Sequence, residues 1–448
     1  MKKRFLTAAA FFLSAAMLAA CGNGSEASSS ETAAPTEAAQ ESGAEADADG
    51  GTEAETQTLS LWYWQSDMEQ AWNDNLIADF EAANPGVNIE LTIMPWADYW
   101  QKVQTATVSD TLPDIMVMSV AYIEQYARAG VVIDLKDYID RDLDRSEYYE
   151  FAMETTRMED GHEYGMPWNI VENCLFYNKD MFDAAGVDYP DETWTWDDLR
   201  EAAIKLTDAE KNQYGFSMTL SDEVGFDSLV YSYGGAIVSD DLKECLIDGQ
   251  GAKDAINYIR GMMLDDKCMV PISADSTGIS DFSTGLVAMT VDGCWSLENL
   301  ATASELNWDM APIPSGPAGR KPRAWSDSIC ITKSCEDPET AWSFIKFLVS
   351  EEGQTNPNLT STRIPVYIPA SLSDSFLKNE DVPCNLQVLI DELEEASPFI
   401  FRGNWGEWLS AEANELHGAF TGDLTVDEAT ANAKAAIQAI LDEYNASL

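Results

Sequence analysis

The chain has 448 residues, 45% of them hydrophobic, enough for more than one domain and for two sizeable cores. Lys and Arg number 26 against 78 Asp and Glu, a formal net charge of −52. That excess argues against nucleic-acid binding, which needs basic surface to neutralise phosphates, and fits a strongly hydrated surface. Apart from Cys21, seven cysteines stand at 174, 245, 268, 294, 330, 335 and 384 with no C-x-x-C pair. Their wide spacing and odd number oppose a zinc site or a full disulfide framework. Most read as small buried hydrophobes, with one or two disulfides left open.

In chain order, residues 1–20 read as a signal peptide. Lys2, Lys3 and Arg4 form a positive start, and Phe5 to Met17 form an apolar core too short for an ordinary spanning helix. Leu18-Ala19-Ala20-Cys21 is similar to the bacterial lipobox, which implies a lipidated Cys21 as the first mature residue. Two acyl chains would anchor stably where one is marginal. Residues 21–58 form the lipidated cysteine and an acidic tether. Positions 22–57 hold nine acidic residues, no basic or aromatic ones and no Leu, Ile, Val or Met. Such a segment buries too little apolar surface to offset its ordering entropy. As a flexible coil it spans roughly 30–35 Å.

Leu59 to Trp64 reads as a first strand, and a helix capped by Ser66 or Asp67 follows, with Met68, Trp72, Leu76 and Phe80 on its apolar face. Val87, Ile89, Leu91 and Ile93 alternate with polar residues as a half-buried strand; Tyr99–Thr107 is a helix and Asp114–Met118 a strand. Alternating strands and helices predict an α/β sandwich with a mainly parallel sheet, whose ligands bind beyond the carboxyl ends of strands. That rule points at Trp64, Gln65 and Ser66, and at Ser119 to Tyr122.

The segment from Gly161 to Leu199 carries the most information. A turn at Glu159–His162 and Pro167 precede an apolar run, Cys174–Tyr177, read as a strand buried on both faces. A short helix from Met181 stops at Gly186, and Thr195 caps the next with Asp198 three residues on. Tyr164-Gly165-x-Pro167, Tyr177-Asn178-Lys179-Asp180-x-Phe182-x-x-Ala185-Gly186 and Thr193-Trp194-x-x-x-Asp198-Leu199 together resemble family 1 of the extracellular solute-binding proteins, the ligand-catching subunits of ABC importers, mostly for sugars. Pro113-Asp114-Ile115 with Ala129-Gly130-x-x-x-Asp134-Leu135, and Phe282-x-x-Gly285-x-x-Ala288-Met289-x-x-x-Gly293-x-Trp295, extend the resemblance over nearly all of 59–448. It implies a two-lobed periplasmic-binding-protein-like fold of type II, each lobe a mainly parallel sheet flanked by helices and joined by hinge strands. Residues 59–168 and 313–355 would form lobe 1, and 169–312 and 356–448 lobe 2, with Trp308–Pro314 as the return crossing. Thr425-Val426-Asp427-Glu428-Ala429 opens an Ala-rich amphipathic closing helix.

The same resemblance implies a carbohydrate ligand held against tryptophans, ABC permease subunits as partners, and a monomer. An indole covers the C–H face of a pyranose while Asp, Asn, Gln and Arg satisfy its hydroxyl rim. The candidates are Trp64, Gln65, Tyr122, Trp168, Asn169, Asp292, Trp295, Trp325, Asp327, Arg363, Trp405 and Trp408. Trp295 carries over from the family motif and Trp408 from its place before the closing helix; Trp72, Trp194, Trp196, Trp308 and Trp342 read as core. Catalysis has little to stand on. His162 lies in a polar turn and His417 on a helix, with no nucleophile elbow, G-x-G-x-x-G or P-loop. Asp140–Asp144 imitates a calcium loop but has Arg145 where Gly is needed and Phe151 where Glu is needed. No cofactor or metal is expected. The expected location is the outer face of a bacterial cytoplasmic membrane, Gram-positive in type. A polyamine or peptide ligand, or a surface carbohydrate-active enzyme, are the alternatives.

Overall fold

The computed structural model describes residues 56–64, 67–158, 160–220, 225–272, 278–303, 305–356, 363–380, 382–399 and 401–448. The signal peptide, Cys21, the tether, Gln65 and Ser66 lie outside the described residues, as does the side chain of Trp72. Local chemistry sets the helix ends. Thr195 and Asp198 form a reciprocal capping box on Trp196–Leu206, the Asp198 N–H donating to the Thr195 hydroxyl at 3.2 Å and the Thr195 N–H to the Asp198 carboxylate at 2.9 Å. Thr425 and Glu428 repeat it on Val426–Ser447. Lys179–Ala185 begins at Asn178, whose side chain accepts from the Met181 N–H, and ends at Gly186 with φ 63°, left-handed backbone that glycine adopts at no steric cost.

In chain order the strands are β1 (Gln57–Trp64), β2 (Val87–Met94), β3 (Ile115–Met118), β4 (Met166–Pro167), β5 (Asn169–Asn178) and β6 (Tyr214–Met218). After them come β7 (Val287–Gly293), β8 (Trp308–Ala311), β9 (Arg323–Trp325), β10 (Ser328–Ile331), β11 (Ile364–Pro365) and β12 (Ser397–Pro398). They make two sheets. The first has the order β2-β1-β3-β10-β4; the second runs β12-β9-β5-β7-β6, with β8 and β11 also paired to β5. These sheets are mixed and not mainly parallel. β1 pairs parallel with β2 and β3, whereas β10 runs antiparallel to β3 and β4. β7, β8, β9 and β11 all run antiparallel to β5. Among them β10 and β11 each follow a change of sheet, and a strand that comes back from the other sheet enters from the opposite end. All ten residues of β5 are buried, as its uninterrupted apolar centre predicts for a strand covered on both faces.

The chain changes sheets at Trp168, between β4 and β5, and again at Ser326–Asp327, between β9 and β10. The second change comes later than the crossing expected at 313. Trp308–Ala311 is still paired to β5, with Leu175 opposite Ala311, and so is Trp325, opposite Val171. One face of the first sheet packs Trp62, Met116 and Met118 against Tyr99, Ile123 and Tyr126 of the helices Trp96–Ser109 and Val120–Arg128. The remaining core is continuous through the crossings into the second sheet. Trp196, Trp308 and Trp342 are buried in it, and Trp194 is partly buried. The seven described cysteines are all free thiols, five of them buried. Among the described residues no helix is long and apolar enough to cross a membrane.

Candidate functional site

The parallel strands β1 and β3 deliver their carboxyl ends to the crossing between the sheets: Met118, last in β3, pairs with Ser328, and the Ser328 hydroxyl donates to the Met118 carbonyl at 3.2 Å. Aromatic side chains gather at these ends. Trp64 closes β1 opposite Met94, so that the turn at Pro95 brings Trp96 beside it. The two indoles stand edge to face at 5.0 Å. Trp100, one turn further along the helix, lies 5.4 Å from Trp96 and 4.1 Å from Tyr122. Tyr122 is held by the helix Val120–Arg128, whose start is capped by Ser119. Trp96 is 45% exposed, which is uncommon for so large an apolar ring. Trp96 lies before the helix expected from Tyr99, and Trp100, though inside it, is not among the expected site residues. Pro95 directly before Trp96, with Trp100 four residues on, was the available signal.

At the crossing the expected rim residues hold backbone together. The Asn169 side-chain oxygen accepts from the Asp327 N–H at 3.1 Å, the Trp168 N–H donates to the Asp327 carbonyl at 3.2 Å, and the Ser326 hydroxyl donates to the Asn169 carbonyl. The buried Asn169 Nδ2 has no hydrogen-bond partner among the described residues. Arg363 is buried just before β11, whose Ile364 pairs with Ile170; Arg363, Glu172 and Asp327 all act electrostatically on the Cys294 thiol. Trp168 differs from expectation. Its ring, 2% exposed, stands edge-on to Tyr63 at 5.8 Å in a pocket with Leu61, Val117, Ile329 and Phe344. Successive strand residues point to opposite faces, and Trp168 has the core side.

On the second sheet, β7 ends at Gly293 and a single 3₁₀ turn, Cys294–Ser296, presents Trp295. The indole folds back over Gly293 so closely that a Cβ there would lie 1.9 Å from Trp295 Cζ3. Gly293 is thus required by the tryptophan two residues on. Asp292 is buried, accepting from the Gly293 N–H at 2.8 Å and the Ser296 hydroxyl at 3.0 Å, so it braces the turn and is not a rim group. Burial raises its carboxyl to about 7. Trp295 is partly exposed and lies 5.7 Å from Trp325, which touches Phe399 and Phe401; Phe401 in turn meets Trp405 edge-on at 5.0 Å. Trp408 is 1% exposed and donates its Nε1–H to the Arg402 carbonyl at 3.1 Å. With both faces covered it is a packing residue, contrary to the stacking role expected of it.

A cavity of about 710 Å³ separates Ile123 and Glu124, on the helix Val120–Arg128, from Arg323 of β9 and from Phe399, Phe401 and Arg402. Its size suits a small-molecule ligand, for which about 300–1,000 Å³ is usual. None of the expected aromatics lines it directly; it adjoins them through Phe399, Phe401 and the helix that bears Tyr122. Arg323 is fixed in its wall by Asp227 at 2.7 Å and by the rings of Tyr231 and Phe399. A second groove of about 800 Å³ lies at the far end of β5, beside Asn178 and Lys211, and has no aromatic lining. His162 is exposed beside Asp134, and His417 is exposed on the helix Trp405–Thr421. Asp142 ends a short helix and pairs with Arg141, so the calcium-loop look-alike is a charged helix end.

The family described as bacterial extracellular solute-binding protein matches residues 65–355. A putative binding protein of Brucella abortus (strain 2308) is 25% identical over 371 residues, covering 81% of this chain and 88% of the relative. The diacetylchitobiose binding protein DasA of Streptomyces coelicolor is 28% identical over 367 residues, 79% of each chain. Among solved structures, an ABC substrate-binding protein of Listeria monocytogenes in complex with cycloalternan superposes with a TM-score of 0.78 at 23% identity, covering 87% of this chain and 100% of that one. The GacH receptor of Streptomyces glaucescens, solved unliganded and with acarbose, gives 0.76 at 24% identity, covering 87% and 99%. Fold, crossings and family match agree, and the chain belongs to the bacterial extracellular solute-binding proteins, two-lobed α/β proteins of type II.

Proposed function

We propose that the protein is the carbohydrate-binding subunit of an ABC importer, capturing an oligosaccharide between its lobes and delivering it unchanged to permease subunits. The observation that carries this reading is the pair of aromatic clusters at one crossing: Trp64, Trp96 and Tyr122, partly or largely exposed and backed by the buried Trp100, from the first sheet, and the partly exposed Trp295, backed by the buried Trp325, from the second. Flat apolar rings suit the C–H faces of sugars, and the buried Asn169 Nδ2 at the crossing is a donor that a ligand hydroxyl would satisfy. Relatives named for diacetylchitobiose and maltotriose, and structural neighbours holding cycloalternan and acarbose, support the same class. Closure by bending at Trp168 and Ser326–Asp327 would enclose the ligand.

In this reading residues 59–168 and 313–355 serve as lobe 1 and 169–312 and 356–448 as lobe 2, with β9 of the returning segment staying on β5 as part of the hinge. Residues 1–20 direct export, Cys21 carries the lipid, and the acidic tether holds a monomeric body at the outer face of the membrane. The test is a thermal-shift screen against maltose-, chitin- and mannose-type oligosaccharides; a ligand at 100 times its dissociation constant adds about 2.7 kcal/mol. A sugar that stabilises the protein and is recovered intact supports the proposal. Stabilisation by polyamines or peptides alone, or turnover that survives repurification, overturns it. Mass spectrometry of the native N-terminus tests the anchor, which fails if Cys21 is unmodified.

A further inference from the structure

We propose that the hydrogen bond from the Tyr444 hydroxyl to Glu124 Oε1 is a latch between the lobes, setting how readily they part whether or not a ligand is bound. The bond measures 2.6 Å and joins residues 320 apart in the chain. Each end is anchored in a different lobe. Glu124 lies on the helix Val120–Arg128, whose Ile123, Tyr126 and Ala127 pack with Met116 and Met118 of the first sheet. Tyr444 lies on Val426–Ser447, which is tied to the second lobe. Gln438 accepts from the Cys245 N–H at 2.9 Å and donates to the Lys243 carbonyl at 2.8 Å; Asn445 donates to the Leu242 carbonyl at 2.8 Å; Lys434 pairs with Asp248 at 2.9 Å. Rotation of one lobe away from the other about the crossings therefore breaks the Tyr444–Glu124 bond.

Three features fit a reversible catch better than a permanent strut. The same Glu124 oxygen receives Arg128 Nε at 2.9 Å and Nη2 at 2.7 Å from its own helix, so parting leaves no orphaned charge. Parting therefore costs the charge-assisted Tyr444–Glu124 bond while the carboxylate stays paired with Arg128. Both partners are nearly buried, which protects the bond from competing water. Glu124 and Arg402 also line the cavity between the lobes, and the Arg402 charge bears on Tyr444, so the contact stands at the cavity edge, away from the hinge. The inference rests on the fold and is independent of the ligand's identity.

Hydrogen exchange of the ligand-free full chain tests it. Tyr444→Phe keeps the ring and its packing but removes the donor. A hydrogen bond to a charged group contributes about 1.5–3 kcal/mol, so opening should become about 10- to 100-fold more favourable. Faster exchange is expected in 120–128 and 401–405, with 245–260 unchanged as an internal control. Glu124→Leu, which removes the acceptor, should reproduce the effect, and the double variant should add little to either single one. Unchanged exchange in Tyr444→Phe, or additive effects in the double variant, would overturn the proposal. Loss of protection throughout 245–260 would mean that Tyr444 supports the second lobe's fold, which overturns it equally.

Discussion

Gly293→Ala displaces the Trp295 ring without removing it. Gly293 has φ −83° and ψ 159°, extended backbone that alanine adopts freely, so the substitution introduces no backbone strain. The conflict is with the indole alone: the new Cβ would lie 1.9 Å from Cζ3 and 2.2 Å from both Cε3 and Cη2. The ring must swing away, giving up its contact with Trp325 at 5.7 Å, an aromatic pair contributing about 0.5–1.5 kcal/mol. Reduced freedom of the unfolded chain offsets about 0.4–1 kcal/mol of that, so the melting temperature without ligand should move by only a few degrees. Binding should suffer more. Burying a large apolar side chain is worth roughly 1.5–3 kcal/mol, so sugar affinity should fall about 10- to 100-fold by titration calorimetry. Trp295→Ala should lose a similar amount, and the double variant little more than either, because one platform is removed in each case. Wild-type affinity in Gly293→Ala would refute the platform. So would a folding loss of 3–5 kcal/mol, the cost of truncating a core tryptophan.

The other substitutions separate cleft from core. Trp96→Ala should weaken ligand binding several-fold while leaving the melting temperature nearly unchanged, since the ring is 45% exposed; calorimetry of both forms checks it. Trp168→Ala should do the reverse, costing about 3–5 kcal/mol of folding stability in a denaturant titration through loss of core packing. Glu412→Gln should flatten the pH dependence of stability. Both Glu412 carboxyl oxygens are buried without hydrogen-bond partners among the described residues, and burial, with the nearby Asp227 charge, raises its pKa to about 8. An acid raised on folding contributes stability that is fully present below its unfolded value, near 4.5, and is lost as pH rises towards 8. Denaturation at pH 5 and pH 8 should show the variant gaining most at pH 8, with a slope difference of up to about 1.4 kcal/mol per pH unit. Equal changes at both pH values would show that Glu412 does not titrate in that range.

What could be read in the sequence was what is decided within a few residues. The Thr195–Asp198 capping box and the Gly186 stop each close a hydrogen-bonded ring or a backbone turn locally, and both occur as expected, as does a closing helix that opens at Thr425. The boundary at 168 came from the family resemblance of Tyr164-Gly165-x-Pro167 and not from a local pattern, and the chain changes sheets there. The return crossing was implied by the family resemblance at Trp308–Pro314, whereas β8 and β9 are still paired to β5 and the chain changes sheets at Ser326–Asp327. In the structure the Ile313 N–H is satisfied by Glu392, 2.9 Å away on the helix Gln387–Leu393, a partner that no local pattern could supply. Side-chain direction was the other hidden quantity. Trp168 and Asn169 were both assigned to the cleft, yet neighbours on an extended strand must diverge, and Trp168 packs inward while Asn169 binds the second crossing. Most polar candidates share that outcome: Asp292 braces the Trp295 turn, and Asn169 and Asp327 hold the crossings together. Polar groups near a hinge thus have structural hydrogen bonds to make before any ligand arrives, whereas an exposed indole has no such demand. A partly exposed ring at a strand's end is therefore the stronger mark of a binding surface here, and Trp96 and Trp295 meet it where Asp292 and Trp408 do not.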